Sequence, residues 1–470
     1  METHTFLIGS EWRTSGAQAA VTDPFTGKVI AQVYLATAED VNAAVIAAQN
    51  ALPVIAKLPA YTRSEILLRV AERIGSERDA IAKEITEQVG KPIRYSLGEV
   101  DRAVTTFTLA AEEAKRINGE ALPLDTARGG ENAIGITQRF PIGVIAAISP
   151  FNFPLNLVAH KVAPAFASGN AVILKPPPQA PLTSLRLGRI FLECGAPAGA
   201  LNVLPCPNDV AERLVIDGRI AMLSFTGSAN VGWHLRAKAG KKRTILELGG
   251  NAAVIVEDTP AIVQAAAKIA ASAFAYAGQV CISAQRIFIN KNIFDAFTET
   301  FIEETARLKV GDPMDTETVV GPMIDSAALN RINQWIQDAV AKGANILCGG
   351  KQTENIFPPT VLTNVPKDTL LCSEEAFAPV AMLEAYNAFE EAITQVNASR
   401  YGLQASVFTN DMVKAFHAFR SIRAGAVIIN NAPSFRIDSM PYGGVKDSGA
   451  GREGLRYAIQ EMTEERLMVI

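Results

Sequence analysis

Met-Leu-Ser-Phe-Thr-Gly-Ser-Ala-Asn-Val-Gly, residues 222–232, decides how the fold is read. A short apolar run ends in a turn that contains Gly227 and opens a helical stretch, so a strand passes directly into a helix start. Working outward, apolar runs of similar length lie at 143–149, 171–174, 201–204 and 245–248, each separated from the next by a helical pattern. That alternation predicts βα units, hence a parallel sheet with helices on both faces. A second alternating series starts at Ala261, with strand-like runs at 286–289, 346–347, 381–386, 406–409 and 426–430, and predicts a second α/β domain. Upstream, residues 38–116 read as helical, with Ile66, Leu67, Val70 and Ile74 at spacings of three and four. Two strand-like pieces, 133–139 and 466–470, stand outside both series.

The bulk properties fit this reading. A chain of 470 residues exceeds one ordinary core. Its 49% apolar and 20% charged content is that of a soluble globular protein. A net charge of −4 gives no reason to expect nucleic acid or an anionic membrane as partner. The opening residues lack a basic start followed by an apolar stretch, and no apolar run reaches the length of about 20 residues that spans a membrane. Cysteines at 194, 206, 281, 348 and 372 are odd in number and show no CxxC pair, so neither a disulfide scaffold nor a metal site is expected. The expected location is a reducing cytoplasm.

Three stretches carry the chemistry. Ser-Pro-Phe-Asn-Phe-Pro (149–154) offers an amide, Glu-Leu-Gly-Gly-Asn (247–251) a carboxylate, and Tyr-Ala-Gly-Gln-Val-Cys-Ile-Ser (276–283) a thiol. Alone, a cysteine is ordinarily a small hydrophobe and an asparagine near a proline a turn residue. Together they read as nucleophile, base and amide donor. At these motifs the chain resembles the aldehyde dehydrogenase superfamily, essentially from end to end.

The resemblance implies an α/β fold with a Rossmann-type cofactor domain (1–121 and 142–249), a second α/β catalytic domain (250–452) and a small β oligomerisation arm (122–141 and 453–470). It implies Cys281 as the thiolate that adds to an aldehyde, giving a thiohemiacetal and then a thioester. Asn152 is implied as the oxyanion donor, and Glu247 as the base for thioester hydrolysis. Relatives that pass the acyl group to coenzyme A lack that glutamate, so the chain looks hydrolytic. Gly278 and Gln279 are expected to bring Cys281 close to a helix start, where the dipole favours a thiolate.

For the cofactor, NAD or NADP, the resemblance points to Ser149, Phe151, Lys175, Pro178, Gly227, Ser228, Val231, Gly232, Leu248, Glu375 and Phe377. NAD-preferring relatives often have a glutamate where this chain has Pro178, so NADP should be tolerated. The stretches 152–161, 276–283 and 435–449 together are similar to lactaldehyde dehydrogenases of the archaeal type. Next nearest are phosphonoacetaldehyde and non-phosphorylating glyceraldehyde-3-phosphate dehydrogenases, but these phosphate-handling relatives typically place Arg before the nucleophile, where this chain has Val280. His160, Arg102 and Arg436 are candidates to meet a small, polar, hydroxylated or anionic aldehyde. A homodimer or homotetramer is expected. Two other readings compete: a cysteine hydrolase built on Cys281 and His160, and a structural or binding use of the same scaffold. The first leaves Lys175, the 227–232 turn and Glu375 without a role; loss of Cys281, Glu247 or Asn152 would have favoured the second, and all three are present.

Overall fold

The computed structural model describes residues 2–258 and 261–470. Five parallel strands form the middle of an eight-stranded sheet, in the spatial order Arg243–Glu247, Ile220–Thr226, Val144–Ile148, Ala171–Lys175 and Leu201–Val203. Gly449–Ala450 closes one edge antiparallel; Phe6–Ile8 and Glu11–Arg13 close the other. Val144–Ile148 and Ala171–Lys175 are buried along their whole length, which is why they read as apolar runs and not as alternations.

The second sheet has seven strands: Asn345–Cys348, Thr360–Thr363, Val380–Tyr386, Ala284–Asn290, Ala252–Val256, Gln404–Phe408 and Ala426–Ile429. All pair in parallel except the first. Four helices, Ala38–Lys57, Ala60–Ser76, Arg78–Val89 and Ile93–Ala114, account for the helical region near the N-terminus. The first begins at a capping box, Thr37 with Asp40. The second buries Ile66, Leu67, Val70 and Ile74 along one face, as their spacing requires.

The course of the chain differs from the expected division in two places. Gly449–Ala450, assigned to the second unit, hydrogen-bonds along Arg243–Glu247 in the first sheet. Helix Leu455–Glu461, assigned to the arm, buries Leu455 and Ile459 in the core beneath the first sheet. Only Thr463–Val469 joins the small antiparallel sheet, beside Ile134–Pro141 and Ala121–Pro123. A further small sheet of Thr3–His4, Val29–Tyr34 and Gln18–Thr22 is not foreshadowed by the sequence pattern, because its strands are short and half-exposed.

Candidate active site

A cavity of about 670 Å³ lies between the two large sheets. One wall is made by residues at the C-terminal ends of three parallel strands: Phe151 and Asn152 after Val144–Ile148, Gly227 and Ser228 after Ile220–Thr226, and Glu247, Leu248 and Gly249 at the end of Arg243–Glu247. Open α/β sheets bind ligands at such ends. The facing wall comes from segments that lead into strands of the second sheet: Cys281 before Ala284–Asn290, and Glu375 and Phe377 before Val380–Tyr386. Arg436 and Tyr442, which follow Ala426–Ile429 in the chain, complete it.

The approach to Cys281 is held in an unusual backbone. Tyr276, Ala277 and Gly278 are left-handed in succession, with φ of 52°, 54° and 65°. A side chain at 278 would meet the Ala378 carbonyl oxygen at 2.2 Å, so glycine is required there. Tyr276 is tied down by its N–H to Val319 O (3.0 Å) and by its hydroxyl to Val89 O (3.3 Å). The expected helix start is not there: Cys281 occupies a turn that enters a strand. Burial pushes the thiol up to about 11, opposed by the Tyr442 hydroxyl 3.1 Å from Sγ.

Asn152 is buried and donates from Nδ2 to the Gln279 carbonyl at 3.0 Å, two residues before Cys281. That bond uses one of two amide protons and fixes the direction of the other. Glu247 is buried with both carboxylate oxygens lacking a partner. Burial, and then the charge of Glu453, hold it well above the usual carboxylate range. Glu453 goes the other way. Burial opposes its charge, but Lys161 (Nζ–Oε1 3.3 Å) and Arg436 (Nη2–Oε2 3.1 Å) pull it down to about 2. Two carboxyl groups are thus pushed apart, one kept ionised and one ready to take up a proton.

Part of the set expected to hold a nicotinamide dinucleotide lines the cavity, with features that suit such a group. Helix Ala229–Lys238 starts without a side-chain cap, and Ser228, Ala229 and Asn230 line the cavity, leaving amide N–H groups for a pyrophosphate. A Cβ at Gly232 would meet Leu248 Cδ2 at 2.3 Å, so helix and strand end pack at glycine distance. Ser149 Oγ and Thr226 Oγ1 are buried polar atoms without partners. Glu375 accepts from the Gly250 N–H at 3.1 Å, and a Cβ at Gly249 would meet its Oε2 at 2.0 Å. Burial pushes Glu375 up to about 7, against that N–H. Phe377 sets its ring edge against Phe151, with centroids 5.9 Å apart. Phe151, Gly227, Ser228, Leu248, Glu375 and Phe377 line the cavity; Ser149, Lys175, Pro178, Val231 and Gly232 do not. Lys175 is buried, which lowers its pKa, and its Nζ reaches Asn208 Oδ1 at 3.5 Å; Pro178 is exposed.

Of the three substrate candidates, only Arg436 lines the cavity. Its side chain is buried, and its Nε has no partner. Arg102 and His160 instead converge on buried Asp438, Arg102 from Nη2 at 2.6 Å and His160 through Nε2 at 2.8 Å. Both are held by that carboxylate, which lies outside the cavity wall, and His160 keeps a buried Nδ1 without a partner. Sequence reasoning did not assign roles to Asp438, Tyr442, Lys161 or Glu453. Pro-Tyr-Gly-Gly (441–444) was the one local signal for Tyr442; the rest depend on contacts between residues far apart in the chain.

A partly buried thiol, a buried amide, an unpaired carboxyl and a cavity at the strand ends of a two-sheet α/β scaffold are the parts of a cysteine-dependent oxidoreductase. The sequence profile of the aldehyde dehydrogenase family matches residues 12–468. Across 98% of this chain and 97% of its own, a 3-sulfolactaldehyde dehydrogenase of Priestia aryabhattai is 44% identical. A lactaldehyde dehydrogenase of Methanococcus maripaludis is 39% identical over 96% of each chain. The crystal structure of glyceraldehyde-3-phosphate dehydrogenase GapN from Methanocaldococcus jannaschii, complexed with NADP, superposes with a TM-score of 0.93 at 36% identity, covering 97% of this chain and 99% of that one. The chain belongs to the aldehyde dehydrogenase family.

Proposed function

We propose that the protein oxidises a small 2-hydroxyaldehyde, with or without an anionic group at the far end, to its carboxylic acid, using NAD or NADP and hydrolysing an acyl thioester on Cys281. The observation that carries the substrate class is Arg436. It is a buried cation in the cavity wall, stacked 3.7 Å from the centre of the Tyr442 ring whose hydroxyl touches Cys281, and its Nε is free. Arg331 and Arg400 also line the cavity, but their guanidinium groups donate to Ala376 O and to Glu374 and Asp447. The similar proteins named above act on lactaldehyde, its sulfonated analogue and its phosphorylated relative, which supports a shared 2-hydroxypropanal core. Val280 before the nucleophile favours a neutral or sulfonated substrate over a phosphorylated one.

In the reaction, Cys281 adds to the aldehyde carbon and the free Asn152 amide proton meets the oxygen on which charge develops. Bound nicotinamide supplies the acceptor for hydride. Phe151, Phe377 and Leu248 give the cavity an apolar lining on this side. Glu247 then takes the proton of the water that attacks the thioester, and Glu453, kept ionised by Lys161 and Arg436, favours that uptake.

Initial rates over propanal, lactaldehyde, 3-sulfolactaldehyde and glyceraldehyde 3-phosphate, each with both cofactors, test this reading. A hydroxylated substrate should exceed propanal in kcat/KM by about tenfold or more, one buried charge or hydrogen bond's worth; a preference for propanal would overturn it. In the same panel, Pro178→Glu should move the cofactor ratio toward NAD by about tenfold, as a new carboxylate repels a 2′-phosphate. An unchanged ratio would place adenosine-end selectivity elsewhere. We further propose a homo-oligomer. Leu467, Met468, Val469 and Ile470 are exposed on an edge strand, and Ala426–Ile429 is an open edge of the second sheet. A monomeric mass in solution would refute that assembly.

A further inference from the structure

We propose that Tyr442 holds the Cys281 sulfur in its nucleophilic form, donating its hydroxyl to the thiolate from a ring clamped face-on by Arg436. This rests on Cys281 being the nucleophile and adds a positioning residue beyond the thiol, amide and base. The segment carrying Cys281 is a turn and not a helix start, and the Tyr442 hydroxyl is the group the geometry sets against its sulfur. The Tyr442 hydroxyl, 3.1 Å from Sγ, is the side-chain hydrogen-bond partner of that sulfur among the described residues. A thiol and a phenol can each donate to the other, but once the sulfur is ionised only the phenol can, so the bond favours the charged form.

The ring is fixed for this purpose. Tyr442 N–H donates to Glu453 O (3.1 Å), and Glu453 N–H returns to Tyr442 O (2.7 Å). The carboxylate of the same Glu453 accepts from Arg436 Nη2 at 3.1 Å, and that guanidinium lies over the Tyr442 ring at 3.7 Å. Ile282 and Leu403 pack with the ring in one small apolar cluster. A cation on a phenol face draws electron density from the ring and makes its O–H a stronger donor. The other ionisable groups acting on the sulfur are Arg436, which favours the thiolate, and Glu375 and Glu247, which oppose it. Tyr442 and Arg436 therefore work together against two carboxyl groups and burial. When the sulfur becomes bonded to the substrate carbon it is a poor acceptor, and the hydroxyl is released from it, so the bond acts before attack and not after.

The test is the rate of Cys281 alkylation by iodoacetamide against pH, read by mass on the peptide carrying Cys281. Tyr442→Phe should raise the midpoint by about one pH unit and slow alkylation about tenfold near neutrality, the effect of losing one hydrogen bond to a charged group. Replacing Tyr442 by 3-fluorotyrosine, which keeps shape and sharpens the donor, should lower the midpoint, and it serves if the phenylalanine variant does not fold. A packing role alone would reduce the amount of folded enzyme without moving either midpoint. A Tyr442→Phe profile that superimposes on the wild type, or a fluorotyrosine midpoint that stays or rises, overturns the proposal. If Cys281→Ala still oxidises aldehydes, the nucleophile assignment itself fails; if it is inactive and the Tyr442 profiles are unmoved, only the role of Tyr442 does.

Discussion

Glu247→Gln turns over once and stops. Mixed with saturating aldehyde and cofactor, this variant should release about one reduced cofactor per active subunit and then hold an acyl group on Cys281, visible as added mass on the intact chain. Glutamine keeps the side chain's size in a site where neither Glu247 oxygen has a partner, so little packing changes. What is lost is a base. Burial and the nearby charge of Glu453 set Glu247 to take up a proton, and an amide cannot. Removing general base assistance should slow deacylation by about 10²–10⁴-fold while acylation persists. If the burst vanishes in a folded variant, Glu247 acts before hydride transfer and is not the base for hydrolysis alone.

Cys281→Ala removes the reaction altogether. Oxidation should fall by about four orders of magnitude or more, since no other group in the cavity can carry the acyl intermediate. The remaining cysteines cannot replace it: Cys194 and Cys206 are buried, Cys348 and Cys372 are partly so, and none lines the cavity. Cofactor affinity, measured by fluorescence titration, should stay near that of the wild type because the helix start at Ser228 and the Glu375 carboxylate are untouched. Residual turnover at wild-type rates would eliminate covalent catalysis.

The legible part of this protein is the part written locally. Runs such as 143–149 and 222–225 are strands because a parallel sheet covered on both faces needs continuous apolar residues, and the Thr-Gly-Ser turn after them marks where a strand yields to a helix. Cys281, Glu247 and Asn152 stood out because each sits in a short motif. What stayed hidden was relational. Nothing near Asp438 says that it will engage Arg102 and His160 and so remove both from the cavity wall. Nothing near Glu453 says that its carboxylate will meet Lys161 and Arg436, or that residues 449–450 will return to the edge of the first sheet. The helix start expected at Cys281 failed for a similar reason. A glycine beside a reactive residue signals a close approach, but at Gly278 the approach is a left-handed run, closed by the Ala378 carbonyl, that leads into a strand.

The cavity takes the C-terminal strand ends of one sheet and the lead-in segments of the other, and hydrogen bonds tie the two walls together. Asn152 reaches across to the Gln279 carbonyl, and Glu375 reaches back to the Gly250 amide. Each half can keep its own hydrophobic core, since the cores beneath the two sheets are separate clusters. The chemistry has no such independence. A small shear between the halves would leave both sheets intact yet separate acceptor, nucleophile and base, so catalytic competence is a gauge of the seam between the halves and not of the folding of either one.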